Sequence, residues 1–131
     1  MSTEYNSENY DFRKRTKIFA IGIIHLYASL SKESSVQVCG KQMLRSGTSV
    51  AANFREAYRA RSTAEFISKL GICLQEADET QLWLELLKEG CKAENKNIDL
   101  LWQECDELIA IMVTWVKNLK MDKSTFIVHL S

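Results

Sequence analysis

Residues 42–87 read QMLRSGTSVAANFREAYRARSTAEFISKLGICLQEADETQLWLELL, and this stretch decides the fold. Its second half opens with Ser62-Thr-Ala-Glu65, a capping box in which the hydroxyl and the carboxylate each accept a hydrogen bond from a backbone N–H group at a helix start. No proline interrupts the chain from there to Leu87. We therefore expect two antiparallel helices that meet at a tight corner near residues 60–62.

Apolar side chains recur at alternating intervals of three and four residues in four successive segments, which is the heptad pattern of packed helices. The first helix is expected to begin after an N-cap at Asp11; the other three span about 36–59, 63–89 and 98–120. The four seams are Phe12, Thr16, Phe19, Ile23, Leu26 and Leu30; Gly40, Met43, Gly47, Val50, Phe54 and Ala57; Phe66, Leu70, Cys73, Ala77, Thr80, Leu84 and Leu87; and Ile98, Leu101, Cys105, Leu108, Met112, Trp115 and Leu119. Short connections between such helices predict an all-α fold, an up-down-up-down left-handed four-helix bundle.

Local signals set the expected boundaries of the helices and of the single domain. Gly90 is expected to end the third helix as a left-handed cap, and Asn97 to cap the fourth. Residues 1–10 are polar and are expected to form a flexible N-terminal tail before the bundle domain, residues 11–120. Residues 121–131 are β-branched and aromatic, and we expect a C-terminal tail that lies extended over the bundle or a neighbouring subunit, or is disordered.

Two glycines, Gly40 and Gly47, lie at seam positions of the second helix. Glycine in a helix interior costs about 1 kcal/mol relative to alanine. Close approach of a neighbouring helix is the simplest reason for it. A local distortion or a ligand contact around residues 46–49 is the alternative.

The composition restricts the classes of protein that the chain can be. It has 131 residues, which suits one domain, with 46% hydrophobic and 26% charged residues and no proline. The net charge of zero argues against a strongly basic nucleic-acid binder, although it leaves room for a local basic patch. The chain has no apolar run long enough to cross a membrane and no signal core at its start, so we expect a cytoplasmic protein with reduced cysteines.

More apolar side chains occur than one four-helix core can bury, and a helix that is apolar on two sides is buried on two sides. The surplus lies on the first, third and fourth helices: Ile18, Ile21, Ile24, Tyr27, Ile67, Ile72, Leu74, Leu82, Trp83, Leu86, Ile109, Ile111, Val113 and Val116. In a chain of this length the second burial is expected to be another copy of the subunit, in a ring-like homo-oligomer.

Polar residues of the two central helices are expected to face one another. With a turn near residue 60, facing positions sum to about 121, which places Arg45 beside Glu76, Gln42 beside Glu79 and Asn53 beside Ser68. The predicted structural polar seam, which would fix the register of the two helices, comprises Arg45, Asn53, Glu56, Glu65, Glu76 and Glu79.

Support for enzymatic chemistry is weak. Glu76 and Glu79 have the spacing of a helix-borne di-iron motif, but no histidine accompanies them. His25, on an apolar helix, is expected to be an interior residue rather than a ligand. No phosphate-binding loop, nucleophile elbow or zinc-protease motif occurs. We therefore expect no catalytic residues, no metal and no cofactor.

Basic residues cluster near the start of the first helix and near the central corner. Because successive helices reverse direction, we expect the two clusters at opposite ends of one subunit. They are either solvated surfaces or, in a ring of subunits, basic collars that contact phosphates. The candidates for nucleic-acid binding are Arg13, Lys14, Arg15, Lys17, Arg55, Arg59 and Arg61.

The central motif resembles a known family. The residues that carry the resemblance are Arg45-Ser46, Ser49-Val50, Ala52-Asn53, Glu56, Ser62, Glu65-Phe66, Glu76 to Thr80 and Trp83-Leu84. They are similar to those of the four-helix-bundle proteins encoded in intervening sequences of bacterial 23S rRNA genes, a family that includes the accessory variability determinant of diversity-generating retroelements. The resemblance covers about residues 12–120.

The resemblance implies a homopentamer without catalytic activity. It also implies an accessory factor associated with RNA or DNA through a basic surface. The alternative that it implies is a protein-interaction scaffold that docks a partner enzyme, such as a reverse transcriptase, without contacting nucleic acid.

Overall fold

A computed structural model describes the backbone of residues 3–130 and the side chains of residues 7–121. The chain forms α1 (Thr3–Ser29), α2 (Ser34–Tyr58), α3 (Thr63–Glu85) and α4 (Lys96–Leu130), with a π turn (Leu86–Gly90) after α3. No residue between Thr3 and Leu130 is in a β-strand. Each helix packs on the next, and α1 also contacts α4, so the helices close into a four-helix bundle. The predicted all-α bundle is confirmed; its left-handed supercoil and its ring-like assembly remain predictions.

The predicted seams form the core. Every seam position of the first three helices is buried, as are Ile98, Cys105, Leu108 and Met112 of α4, whereas Leu101, Trp115 and Leu119 are half-buried. Near the α2–α3 corner the core is aromatic. The ring centroid of Phe12 lies 4.7 Å from that of Phe54 and 4.9 Å from that of Trp115, both edge-to-face, which ties three helices together.

Helix α1 begins at Thr3, so the predicted start at Asp11 is wrong. The seam extends toward the N-terminus beyond Phe12, its first apolar residue. Asn9, three residues earlier, occupies the preceding seam position and is buried. Its side-chain amide has no hydrogen-bond partner among the described residues. A polar residue in an apolar position hid this helical turn from the hydrophobic pattern. Met1 and Ser2 of the expected N-terminal tail lie outside the described residues.

Helix α4 continues to Leu130, beyond its predicted end at Lys120. The extended or disordered backbone expected after residue 120 is therefore wrong as far as Leu130. No glycine or proline follows Gly90, so nothing stops the helix, and β-branched residues cost only a few tenths of a kcal/mol in a helix. Ser131 lies outside the described residues. The division into one domain, residues 11–120, and two tails remains a prediction.

The link between α3 and α4 also differs from the prediction. Gly90 is not left-handed; the residue with a positive φ, 58°, is Lys92. The π turn follows α3, and in it the Cys91 N–H donates a hydrogen bond to the Leu86 carbonyl at 2.9 Å. This wider turn continues the helical backbone as far as Gly90. The expected cap at Asn97 is likewise wrong, since the Asn95 side-chain oxygen accepts from the Asn97 N–H at 2.9 Å.

The α2–α3 corner lies where the sequence predicts it. The Ser62 hydroxyl accepts a hydrogen bond from the Glu65 N–H at 3.1 Å. The Glu65 carboxylate accepts from the Arg61 N–H at 3.4 Å, one residue before the donor that a standard capping box uses. The box therefore fixes both the start of α3 and the direction from which the chain enters it.

Gly47→Ala is expected to lower the free energy of unfolding by about 1–2 kcal/mol, although alanine favours helices. A Cβ at Gly47 would lie 2.9 Å from Ile23 Cγ1 and 3.0 Å from Ile23 Cγ2. Ile23 is buried and β-branched, so it has little freedom to move. Urea denaturation of the purified variant measures the change.

Gly71→Ala is the matched control. It lies within α3, is exposed, and has no atom within 4 Å of an added Cβ. Here only the conformational term acts, and stability is expected to rise by about 0.5–1 kcal/mol. Equal effects of the two changes would contradict the close contact of α1 and α2 at Gly47.

Candidate nucleic-acid interface

Part of the predicted polar seam forms a salt-bridged cluster on the α2–α3 surface. Arg45 Nη1 lies 3.3 Å from Glu76 Oε2, as the register predicts, and Arg45 Nη2 donates to Glu79 Oε1. Trp83 Nε1 also donates to Glu79 Oε1, at 3.3 Å. The hydrogen bond from Arg45, and then that from Trp83, holds the pKa of Glu79 below its usual value. Both carboxylates thus form salt bridges with Arg45.

The other predicted seam residues do not extend this cluster into one ladder. The Asn53 side-chain amide donates to the Ser49 carbonyl of its own helix at 2.8 Å instead of lying beside Ser68. Gln42 accepts from Arg45 Nε at 3.4 Å rather than pairing with Glu79. Glu65 caps the corner, and Glu56 forms an ion pair with Lys69, Nζ to Oε2 3.0 Å.

One buried polar contact between α2 and α3 was not predicted from the sequence. The Thr80 hydroxyl donates to the Ser46 hydroxyl at 2.8 Å, and both side chains are fully buried. The positions sum to 126 rather than 121, which is why the assumed register did not pair them. Its signal in the sequence is a hydroxyl residue within the α3 seam, Thr80, and another, Ser46, directly before a seam position of α2.

The two basic clusters lie at the same end of the bundle, so the prediction of opposite ends is wrong. Helix α2 returns toward the start of α1, and the α2–α3 corner therefore lies beside the first turns of α1. The Arg13 guanidinium carbon lies 5.1 Å from the centre of the Tyr58 ring, and the Tyr10 and Tyr58 rings are 6.4 Å apart. Contacts across α1 and α2 thus join the clusters within one subunit.

Four of the basic side chains line one open groove between α1 and α2, with a volume of about 400 Å³. We call it the α1–α2 basic groove. Its lining consists of Arg13, Lys17, Ala51, Ala52, Arg55, Glu56 and Arg59. Arg13 and Lys17 are four residues apart on α1, as are Arg55 and Arg59 on α2, so each pair occupies one helix face.

The charge of this groove is largely uncompensated. None of its four cations forms an ion pair with a described carboxylate, whereas its one acidic residue, Glu56, is paired with Lys69. The alanines at 51 and 52 leave the floor shallow, so that a polyanion can approach both rows of cations. Such a groove attracts anions and releases counterions when a phosphate backbone binds.

The three remaining candidates are arranged differently. Arg15 turns toward α4, where its Nε and Nη2 donate to Glu104 at 2.8 and 2.6 Å and its Nη2 lies 3.2 Å from Glu107. The hydrogen bond to Glu104 raises the pKa of Arg15, so its charge is engaged within the bundle. Lys14 Nζ lies 4.6 Å from the centre of the Tyr10 ring, and Arg61 is exposed at the corner.

The groove is not accompanied by a cluster of metal-binding side chains in the part of the chain that the structure describes. Among the described residues, no group of three or more His, Cys, Asp and Glu side chains could hold a metal ion. His25 is exposed on α1, so its expected interior position is wrong; it lies on the outer face, away from the seam. None of the described helices combines the length and the apolar character that a membrane span requires.

Comparisons with known proteins agree with this architecture. The family model described as "23S rRNA-intervening sequence protein" matches residues 8–114. The chain is also similar to a protein of unknown function from the S23 ribosomal protein family of Bacteroides thetaiotaomicron VPI-5482, whose crystal structure was solved at 1.70 Å resolution. The two are 39% identical, the match covers 81% of this chain and 98% of that one, and the TM-score is 0.73. No curated protein matches the chain.

Proposed function

This chain belongs to the family of 23S rRNA-intervening sequence proteins, and from this premise we propose that it is a non-enzymatic, oligomeric accessory protein that binds RNA through the α1–α2 basic groove. The observation that carries the proposal is the gathering of four unpaired cations in one groove of a chain whose net charge is zero. The groove residues carry four positive charges and one negative charge, so the rest of the chain carries a net charge of −3, and this excess of acidic residues elsewhere favours binding at the groove. We place the protein in the cytoplasm, where its four free cysteines stay largely reduced.

A filter-binding titration with a structured RNA at several salt concentrations tests the proposal. Four phosphate contacts predict that the logarithm of the binding constant falls with the logarithm of salt concentration with a slope of about −3. Without base-specific contacts, dissociation constants of roughly 1–100 µM are expected near physiological salt. Absence of salt-sensitive binding at micromolar protein would contradict the proposal, and stronger binding of duplex DNA would assign the groove to DNA.

The proposed assembly is a homo-oligomer, with the pentamer favoured by the family resemblance. Helix α1 supports it, because three isoleucines at intervals of three residues are exposed on its outer side. Their exposed fractions are 68% for Ile18, 42% for Ile21 and 47% for Ile24. Apolar patches of this kind on a soluble surface are characteristic of subunit contacts.

Ile18→Asp is expected to shift the protein from oligomer to monomer, because a charge in a subunit contact is desolvated without a partner. Sedimentation velocity over a range of protein concentrations measures the distribution. Thr114→Asp, a change to the same residue at an exposed polar position of α4, is the control and is expected to leave the oligomer intact. A wild-type protein that stays monomeric at high concentration would contradict the proposed assembly.

The same isoleucines favour a second candidate, a scaffold that docks a partner protein such as a reverse transcriptase without nucleic acid. Co-purification from the native host, with and without nuclease treatment, separates the two. A partner that stays bound after nuclease treatment, together with a flat salt titration of RNA binding, favours the scaffold.

A further inference from the structure

A pair of tyrosines lies at one end of the α1–α2 basic groove. Tyr10 is on α1 and Tyr58 is the last residue of α2, and their ring centroids are 6.4 Å apart with an angle of 50° between the ring planes. Tyr58 is half-buried and packs against the hydrophobic core, which fixes its position. Tyr10 instead has 46% of its surface exposed, so it offers an accessible aromatic ring beside the groove.

Helix geometry places the two rings in line with the cations of the groove. Tyr10 is three residues before Arg13 and seven before Lys17, so these side chains lie along one face of α1. Tyr58 is three residues after Arg55 on α2. The Arg13 guanidinium carbon lies 5.1 Å from the centre of the Tyr58 ring, which connects the aromatic pair to the groove. Aromatic and basic side chains therefore form one strip along the α1 side, with a length on the order of 10 Å.

The Tyr10 ring contacts a cation that a nucleobase can replace. Lys14 Nζ lies 4.6 Å from the ring centre, and the lysine is exposed. Stacking of a base on an aromatic ring stabilises more than contact with a solvated ammonium group does. Because the lysine side chain is flexible, an ammonium group displaced by a base stays within reach of the phosphate of the same nucleotide.

We propose that the groove binds single-stranded RNA, with phosphates beside its cations and one unpaired base stacked on Tyr10. This inference rests on the proposed RNA binding and names the form of RNA that is bound. A duplex keeps its bases stacked inside and offers none to the ring except at its ends. Electrostatic attraction alone favours the duplex, because its phosphates are denser. A preference for single strands therefore requires a contact with a base.

Fluorescence anisotropy with a labelled RNA strand of about 12 nucleotides tests the proposal. Three probes are compared at one salt concentration: the single strand, the same strand annealed to its complement, and a DNA strand of the same sequence. The wild-type protein is expected to bind the single-stranded RNA roughly tenfold more tightly than the duplex. Equal or tighter binding of the duplex would overturn the proposal, and tighter binding of the DNA strand would overturn the assignment to RNA.

Tyr10→Ala is expected to weaken binding of the single-stranded RNA roughly tenfold. The salt slope is expected to stay at about −3, because the change removes a stacking contact but no phosphate contact. Tyr10→Phe keeps the ring and is the matched control, which is expected to bind as the wild type does. Tyr10 is exposed, so both variants are expected to fold, and circular dichroism verifies this.

The outcomes separate this proposal from the one on which it rests. Salt-sensitive RNA binding that Tyr10→Ala leaves unchanged would exclude stacking and keep the groove as the RNA site. A loss of affinity together with a smaller salt slope would show that Tyr10 acts by positioning Lys14, which also contradicts stacking. Absence of RNA binding by the wild-type protein would overturn both proposals.

Discussion

Val50→Glu is expected to abolish the folded bundle. Val50 is fully buried at the centre of the α2 seam, and its backbone carbonyl lies against the Cys73 sulfur of α3. A carboxylate there loses its water without gaining a cation, which costs several kcal/mol even when the group takes up a proton to stay neutral. The total stability of a domain of this size is about 5–15 kcal/mol. Far-UV circular dichroism and gel filtration of the purified variant measure the loss of helix and of compactness.

Val38→Glu separates the effect of position from that of residue type. Val38 is on the same helix as Val50, and its substitution is also from valine to glutamate, but 63% of the surface of Val38 is exposed. The free energy of unfolding of the Val38→Glu protein is expected to differ from that of the wild type by no more than about 0.5 kcal/mol. A helical, soluble Val50→Glu protein as stable as this control would show that the assigned seam of α2 does not face the core.

The core could be predicted because it depends on one repeated feature, the spacing of apolar side chains. Burial follows that spacing closely along the first three helices, and even the hydroxyl at Thr16 and the two seam glycines are buried. The same reliance on apolar residues explains the missed turns of α1. Asn9 occupies a seam position that no apolar count includes, and only the packing of the whole helix reveals it.

The ends of helices were harder to predict because they depend on competing local signals. Gly90 is the obvious terminator after α3, yet the π turn carries the chain past it and Lys92 takes the left-handed conformation instead. At the far end of α4 the sequence has β-branched residues but no breaker, and continuing the helix costs less than leaving backbone groups to find other partners.

The candidate site was predicted in composition but not in arrangement. The residues of the basic groove were identified by their charge. Their proximity in space follows from the antiparallel packing of α1 and α2, which places the end of α2 beside the start of α1. The register estimate succeeded for Arg45 and Glu76 and failed for Gln42 and Asn53, whose side chains form hydrogen bonds within α2 instead. Long side chains lean toward the helix N-terminus, so facing positions alone do not decide which charged groups meet.

Reversing the charge of the α2 side of the groove, by Arg55→Glu together with Arg59→Glu, is expected to weaken RNA binding roughly 100-fold at low salt. The change removes two of four phosphate contacts and adds two repulsive charges at the same place. The salt slope is expected to fall in magnitude from about −3 to about −1.5, because the two remaining phosphate contacts release half as many counterions. Neither arginine is ion-paired with a described residue, so the fold should survive, with a cost of about 1 kcal/mol from the helix dipole in the last turn of α2.

The control carries the same total change of charge to the other end of the bundle. Lys32→Glu combined with Lys92→Glu alters two exposed lysines, one in the link before α2 and one in the link before α4. If binding depends on the groove, this variant keeps the wild-type salt slope and loses at most a few-fold in affinity, since only long-range attraction changes. If both double variants lose affinity equally, RNA responds to net charge alone and the groove is not its binding site.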